Sequence, residues 1–329
     1  GAPRTRVLDI PLLLMQGPAA ALADEILVPG EGRVRALICM SSDPVASIPD
    51  SGRSREALGS LDLLVCLARC EDDTTAFADW VLPVAHPWER SDIQLMDHRL
   101  LPRTLLRWTP AIVNPAGEAK TEQEILAEIV TRLGTRKGTG WGRHMQLLGR
   151  WLSRSELDPW FRRTLEWATE SSWEDLRSPP HQLDLGETDR SSWAVSHEDS
   201  RIHLLPDVAV EALRNAVVPE PTDEYPIWLR TSVRLDMAPD AHHRDSDSID
   251  PGLSVHPDLG IADGARVRVR TRYGSVETTA HHVEGLRTDS VDLPMGYDTD
   301  AMALLSATRL DGLCGTAALD GVMCTVEVL

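Results

Sequence analysis

Cys66 and Cys70 lie four residues apart, with Asp72-Asp73 just beyond them. Thiolates at that spacing begin a zinc or iron–sulfur site, but such a site needs further thiolates at matching spacing, and the sequence supplies none. Both therefore read as small core hydrophobes. Asp72-Asp73 would suit a cation, yet no third oxygen ligand is placed by the sequence. His242-His243 sits in 236–250, a stretch rich in Asp and Ser. Adjacent histidines on a strand point opposite ways, so one ligand geometry rarely uses both. That composition buries little apolar surface and predicts a mobile polar loop. His281-His282 is expected on a hairpin, one side chain inward and one outward. Gly138-Thr-Gly140-Trp-Gly142 lacks the dinucleotide-binding spacing, and no strand leads into it, so it reads as a linker. There is no Gly-x-Ser-x-Gly elbow and no Walker loop. None of these groupings assigns a catalytic or metal-binding residue.

The elements that would position such groups come from a chain of 329 residues and 36.3 kDa, enough for two or three domains. Its 42 % apolar and 26 % charged residues are an ordinary globular mixture. The net charge of −18 repels phosphate backbones, which argues against a nucleic-acid partner. The longest apolar runs, 10–15 and 63–68, are too short to span a membrane, and no secretory signal pattern is present. Five cysteines, odd in number and set in apolar contexts, point to a reduced, cytoplasmic chain. The chain opens Gly-Ala-Pro-Arg without Met, which suggests processing or a portion of something larger.

Residues 1–135 alternate strand-like and helix-like patterns. A β-rich run at 34–40 ends in Ser41-Ser42-Asp43-Pro44, a turn signal, and a helix follows near 53–59. The run at 61–67 has no polar alternation, which suits parallel strands buried on both faces. A third strand is predicted at 80–82. Residues 121–133 read as a helix: Thr121 and Glu124 form a capping box, Ile125, Ile129 and Leu133 form a stripe, and Gly134 can end it. Ligands of open α/β sheets bind at the strand ends.

Residues 136–218 are Trp-rich. Trp141, Trp151, Trp160, Trp167 and Trp173 predict helix packing, since Trp is mostly buried apolar area. A short strand at 201–205 and a helix at 207–215 are expected here. A Pro-rich acidic boundary at 218–226 opens the last region, 219–329. There the pattern is β. Val267 and Val269 alternate with Arg266, Arg268 and Arg270, and 276–282 return as a hairpin. Strands at 290–293 and 322–328 complete what reads as a closed barrel of about 100 residues.

The order of the motifs is more specific than any one of them. Val34-Arg-Ala-Leu-Ile-Cys-Met-Ser-Ser-Asp-Pro44 is followed by Leu61-Asp-Leu-Leu-Val65, by Asp73-Thr-Thr-Ala-Phe-Ala-Asp-Trp-Val-Leu-Pro83, by Trp88-Glu-Arg90, and by Ala116-Gly-Glu-Ala-Lys120 before the capped helix. This resembles the molybdopterin oxidoreductases of the DMSO reductase and formate dehydrogenase family. Tyr225-Pro-Ile-Trp-Leu-Arg-Thr231 and Leu259-Gly-Ile-Ala-Asp-Gly264 with Val267-Arg-Val269 resemble that family's dinucleotide-binding barrel. So do Asp292-Leu-Pro-Met-Gly296 and the segment from Leu310-Asp311 through Gly315. The resemblance covers about 10–135 and 195–329 and leaves the Trp-rich middle unexplained.

The resemblance implies an α/β fold: a Rossmann-like parallel-sheet domain, a helical connection, and a double-psi-like β-barrel. It implies a molybdopterin guanine dinucleotide cofactor carrying Mo or W, used for two-electron redox or oxygen-atom transfer. Ser41, Ser42, Asp43, Thr74 and Thr75 would meet its phosphate or guanosine from the strand ends. Arg230, Thr231, Met295, Gly296 and Tyr297 would face the pterin or pyrophosphate from the barrel. The chain looks like only the C-terminal half of such an enzyme. It has no iron–sulfur cysteine set and no ligand for the metal, so a missing N-terminal half or a separate catalytic chain would supply both. Such a half should also expose the apolar surface that its counterpart covers. Three departures matter. Ala68 stands where the family often has Asp, Val233 where it usually has Arg, and Ala303 where it has Asn. Each removes a polar partner, worth on the order of 1–3 kcal/mol. They favour the alternative, a cofactor-free structural subunit of a redox complex that retains the fold.

Overall fold

The computed structural model describes residues 3–12, 16–94, 102–136, 159–169, 171–187, 199, 201, 204–214, 218–232, 252–295, 299–311 and 315–329. The expected loop around His242-His243, the linker at 138–142, Trp141, Trp151, Val233, Gly296 and Tyr297 lie outside them. The chain divides into two compact units, Gly1–Val81 with Pro206–Leu329, and Leu82–Leu205.

The first unit opens with helix α1 (Leu22–Leu27), whose Ala23 and Ile26 pack on Ala57. Strand β1 (Ala36–Met40) then leads into a short helix α2 (Pro44–Ser47). Pro44 suits the first turn, where its missing N–H is not needed, and Asp43 caps the helix by accepting from Ala46 N. Helix α3 (Ser51–Gly59) is capped in the same way by Asp50, which accepts from Arg53 N. Strand β2 (Leu63–Ala68) pairs with β1 in parallel, from Ala36↔Leu63 to Met40↔Leu67, and β3 (Trp80–Pro83) completes the order β1-β2-β3.

One face of this sheet is packed. Leu37, Cys39, Leu64 and Cys66 meet Val45 and Leu58 from the helices. The opposite face corrects the expectation of strands buried on both sides only in part, since Leu67, the register partner of Met40, is 1 % exposed. Ile38, Met40 and Leu63 are 42 %, 46 % and 40 % exposed, and Trp80 on the neighbouring strand is exposed too.

The second unit holds an antiparallel sheet, β4 (Asp92–Gln94), β5 (Arg103–Thr109) and β6 (Gln182–Glu187), in that order. Its helices are α4 (Glu122–Arg136), α5 (Pro159–Ala168) and α6 (Trp173–Arg177). The capping box is present: Thr121 N donates to Glu124 Oε2 at 2.9 Å and Glu124 N to Thr121 Oγ1 at 3.2 Å. Gly134 does not end α4, which runs on to Arg136. Ile93, Leu106, Leu165 and Leu176 form the core, with Trp108 and Trp173 against it. Trp173 thus packs as expected, whereas Trp167 is exposed. The connecting region is not wholly helical, because β6 lies inside it. Leu204 and Leu205 form bends, and the middle of the strand expected at 201–205 lies outside the described residues.

The first unit resumes with helix α7 (Asp207–Arg214), which buries no residue. A closed six-stranded barrel follows, built from β7 (Ile227–Arg230), β8 (Leu253–Val255), β9 (Arg266–Thr271), β10 (Ser275–His282), β11 (Ser290–Asp292) and β12 (Val322–Val328). Around the barrel the order is β10-β8-β11-β7-β12-β9, with β8–β10 and β7–β11 parallel and the other pairs antiparallel. The predicted hairpin is β9–β10, with Val267 and Val269 fully buried and the arginines outside. Its turn needs Gly274, where a Cβ would come within 2.3 Å of the Ala303 carbonyl oxygen. His281 and His282 are both exposed at the end of β10, rather than one in and one out. No helix among the described residues is long and apolar enough to cross a membrane.

Candidate functional site

The candidate residues gather at the carboxyl ends of β1 and β2 and on the loops after β7 and β11. At the end of β1 the backbone turns sharply. Ser41 takes φ +44°, and its N–H donates to the Leu67 carbonyl at 2.9 Å, which holds the turn against β2. Ser42 beside it is exposed. Asp43 joins this loop to the next one, since Thr74 donates its hydroxyl to Asp43 Oδ1 at 2.6 Å and accepts from Val45 N at 3.2 Å. Thr74 is fully buried, so its hydroxyl is occupied in tying the two loops together. Thr75 is 8 % exposed and closes its own turn, accepting from Asp72 N at 2.7 Å while its N–H donates to Asp72 Oδ1 at 2.7 Å.

A third loop is fastened to these two by Arg55 of α3. Its guanidinium meets Asp73 at 3.0 Å and Asp300 at 2.8 Å. Ser51 donates to the same Asp300 oxygen at 2.7 Å, and Asp50 N donates to the Met302 carbonyl at 2.9 Å. Asp300 in turn caps the short helix Ala301–Leu304, whose Ala301, Met302 and Leu304 belong to the barrel core. Desolvation opposes the charge on Arg55, but the hydrogen bond and charge of Asp300, then those of Asp73, outweigh it and hold the guanidinium above its ordinary pKa. Sequence reasoning left out Arg55, Ser51 and Asp300, because a helix arginine carries no motif.

On the barrel, Arg230 ends β7 with its side chain exposed. Thr231 is buried and donates its hydroxyl to the Leu319 carbonyl. Ser232 donates to Asp292 Oδ2 at 2.7 Å, and Met295 N donates to the Ser232 carbonyl at 3.0 Å. These bonds bring the Arg230, Thr231 and Met295 loops together. Asp292 was read only as the start of a loop motif, yet its Oδ1 is buried without a hydrogen-bond partner. A buried carboxylate oxygen left that way is costly, and it would be satisfied by a ligand N–H. Ala68 is buried at the end of β2 and offers no polar group.

Two grooves lie elsewhere. One of about 380 Å³ is lined by Leu82, Pro83, Ile125 and Ile129 with charged flanks. The other, about 390 Å³, lies among Tyr225, Arg272, Tyr273 and Arg309 on the barrel wall.

Residues 14–132 match the family described as molybdopterin oxidoreductase, and residues 248–323 match the Molydopterin dinucleotide binding domain. The chain belongs to the molybdopterin oxidoreductase family. Acetylene hydratase of Syntrophotalea acetylenica is 24 % identical over 285 residues, covering 80 % of this chain and 37 % of that protein. Nitrate reductase of Klebsiella oxytoca is 22 % identical over 309 residues, covering 87 % of this chain and 34 % of that protein. The solved structure of acetylene hydratase from Pelobacter acetylenicus superposes with a TM-score of 0.74 at 19 % identity, over 96 % of this chain and 47 % of that one. It therefore shares the fold. This family member thus spans between about a third and a half of the length of these relatives. The α/β sheet, the closed barrel and their order along the chain agree with the resemblance drawn from the motifs.

Proposed function

We propose that this chain holds and orients a molybdopterin guanine dinucleotide, carrying Mo or W, in an enzyme of two-electron redox or oxygen-atom transfer. The observation that carries this reading is the loop set at Asp292. A buried carboxylate oxygen without a partner lies beside Ser232, next in register to the exposed Arg230. Pterin and guanine both present amide and amine N–H groups that such an acceptor would take, and the guanidinium suits a phosphate. The donor and acceptor set therefore fits the group.

Within this reading, Asp292 accepts from the heterocycle and Arg230 pairs with the pyrophosphate. Ser41, Ser42, Asp43, Thr74, Thr75, Thr231 and Met295 shape the loops around the cofactor; Gly296 and Tyr297, proposed with them, lie outside the described residues. Arg55 keeps the α/β loops and the turn before Ala301 in fixed relation. When bound, the group supplies the electron-carrying chemistry, and this chain supplies position and electrostatics. We take 1–135 as a Rossmann-like domain, 219–329 as a double-psi barrel and 136–218 as their connection. This division follows the motifs, whereas packing divides the chain at 81/82 and 205/206.

We also infer that the metal ligand and iron–sulfur cluster come from an N-terminal half or a separate catalytic chain, in the cytoplasm. The open sheet face of Ile38, Met40 and Leu63, and a helix α7 that buries nothing, support a missing cover.

The second reading, a cofactor-free structural subunit, is favoured by Ala68 and by the Asp43–Thr74 bond, which occupies both side chains internally. Purification from a molybdenum-replete host, with whatever co-purifies, separates the two. Metal by elemental analysis and pterin by released fluorescence are expected together with a second polypeptide. An intact partner complex lacking pterin would leave the structural reading standing.

A further inference from the structure

Cys39 of β1 and Cys66 of β2 are register partners in a parallel strand pair. Neighbouring strands run about 4.8 Å apart. That lies inside the Cα–Cα range of about 4.4–6.8 Å that a disulfide spans. Register partners share a face, and both thiols lie on the packed side of the sheet with Val45, Leu58 and Leu64. They are 7 % and 2 % exposed. The Cys39 thiol donates to the Ser42 carbonyl oxygen at 3.1 Å.

We propose that Cys39 and Cys66 form a redox-active dithiol that peroxide converts to an intrachain disulfide. The adjacent Cys39 thiol favours the thiolate of Cys66, against the effects of burial and of the Asp72 and Asp43 charges. The neighbouring Cys66, with burial, holds Cys39 protonated. In the proposed sequence Cys66 attacks and Cys39 resolves. The Cys66 thiolate attacks one peroxide oxygen, the O–O bond breaks, and hydroxide leaves to take up the proton Cys66 released. Cys66 is then a sulfenic acid. The Cys39 sulfur attacks it, the S–S bond forms, and the departing hydroxide takes the Cys39 proton as water. In total the dithiol gives up two electrons and two protons, and one peroxide becomes two waters.

Oxidation has a local consequence. The Cys39 S–H no longer reaches the Ser42 carbonyl, so the turn at 41–43 loses one of its ties. The proposal stands on the strand register and does not depend on the cofactor reading.

Trypsin makes the test direct. Cleavage after Arg35, Arg53, Arg55, Arg69 and Arg90 puts Cys39, Cys66 and Cys70 on three separate peptides. The full purified chain is reduced, treated with hydrogen peroxide, blocked, and digested without reductant. The expected product joins peptides 36–53 and 56–69 at two hydrogens below their summed mass, separates on thiol reduction, and persists in Cys70→Ser. In Cys39→Ser, a dione that traps sulfenic acid should label Cys66 at least tenfold more than in the unaltered chain. Linkage through Cys70, linkage only between molecules, or unlinked Cys39 and Cys66 at doses that already oxidise Cys70 would each overturn the proposal. If a serine variant fails to fold, the peptide map of the unaltered chain decides alone.

Discussion

The barrel and the paired strands β1 and β2 belong to one packing unit and treat their apolar residues in opposite ways. The barrel closes on itself. Leu229, Leu253, Val255, Val267, Val269, Val291 and Leu293 all point into a core that solvent does not reach. The sheet packs one face under α2 and α3 and leaves Ile38, Met40 and Leu63 on the other side in contact with solvent. A closed barrel has no bare edge or outer apolar face to cover, so its stability is complete within the chain. An open sheet with apolar residues on both faces is built for two covers, and here one is present. On the reading proposed above, the barrel is complete in itself and the exposed sheet face is where another surface would sit.

The barrel side of that contrast predicts the largest effects. At Gly252, φ is +64°, and a Cβ would come within 2.2 Å of the Thr279 carbonyl oxygen on the neighbouring strand. The Thr279 contact is backbone and cannot yield, whereas the His281 ring at 2.9 Å could shift. Gly252→Ala is expected to destabilise the barrel by about 3 kcal/mol or more, or to prevent folding. Leu229→Ala empties a fully buried site and should cost about 2–5 kcal/mol. Urea unfolding followed by circular dichroism checks both. Losses below about 1 kcal/mol would mean that the barrel is not the rigid unit its packing describes.

Legibility followed the same division. The β9–β10 hairpin was readable because Val267 and Val269 alternate with arginines and the turn is local. The helix at Glu122–Arg136 was readable because its stripe and capping box lie within one short window. The antiparallel sheet β4–β5–β6 was not, since Arg107 of β5 pairs with Gln182 of β6 across 75 residues and a register shift interrupts the pair at 103/105. The bare sheet face was also hidden. An apolar run reads as buried on both sides, and nothing local in it says that Ile38, Met40 and Leu63 are exposed. Among site residues, Ser41 to Asp43 announced themselves as turn chemistry, and Thr74 came only with the family resemblance. Arg55 and Asp300 did not, because their 245-residue separation is bridged only by the fold.

Asp292 sharpens the comparison at the barrel mouth. Its Oδ1 is buried and without a partner, so Asp292→Asn should leave the stability of the chain without cofactor unchanged or raise it slightly. The same change should weaken pterin retention by about 1–3 kcal/mol, roughly 5- to 150-fold, where Asp292 accepts a ligand N–H. Comparing unfolding midpoint with pterin content of the partner complex separates the two effects. Equal retention in Asp292→Asn would remove that residue from the site. Arg55 joins the two regions, and its ion pairs with Asp73 and Asp300 are all about a third exposed. Solvent screening limits them, and Arg55→Met should cost about 1 kcal/mol, a loss that shrinks as salt rises. A salt-independent loss would assign Arg55 to packing through its methylenes instead.

The smallest effect is the most informative about the missing cover. Ile38→Thr and Met40→Thr keep residues that strands tolerate and alter side chains already 42 % and 46 % exposed. Each should change the unfolding free energy of the chain by less than about 1 kcal/mol. If a second polypeptide seats on this face, the doubly substituted chain should co-purify with at least tenfold less of it while its own unfolding midpoint barely moves. That combination would separate the two faces of one sheet by function, one holding the fold and the other holding the partner. A loss comparable to Leu229→Ala would break the comparison, because Ile38 and Met40 would then be packed within the chain itself. An unchanged yield of partner would place the docking surface elsewhere, with the exposed apolar side of α7 as the next face to substitute.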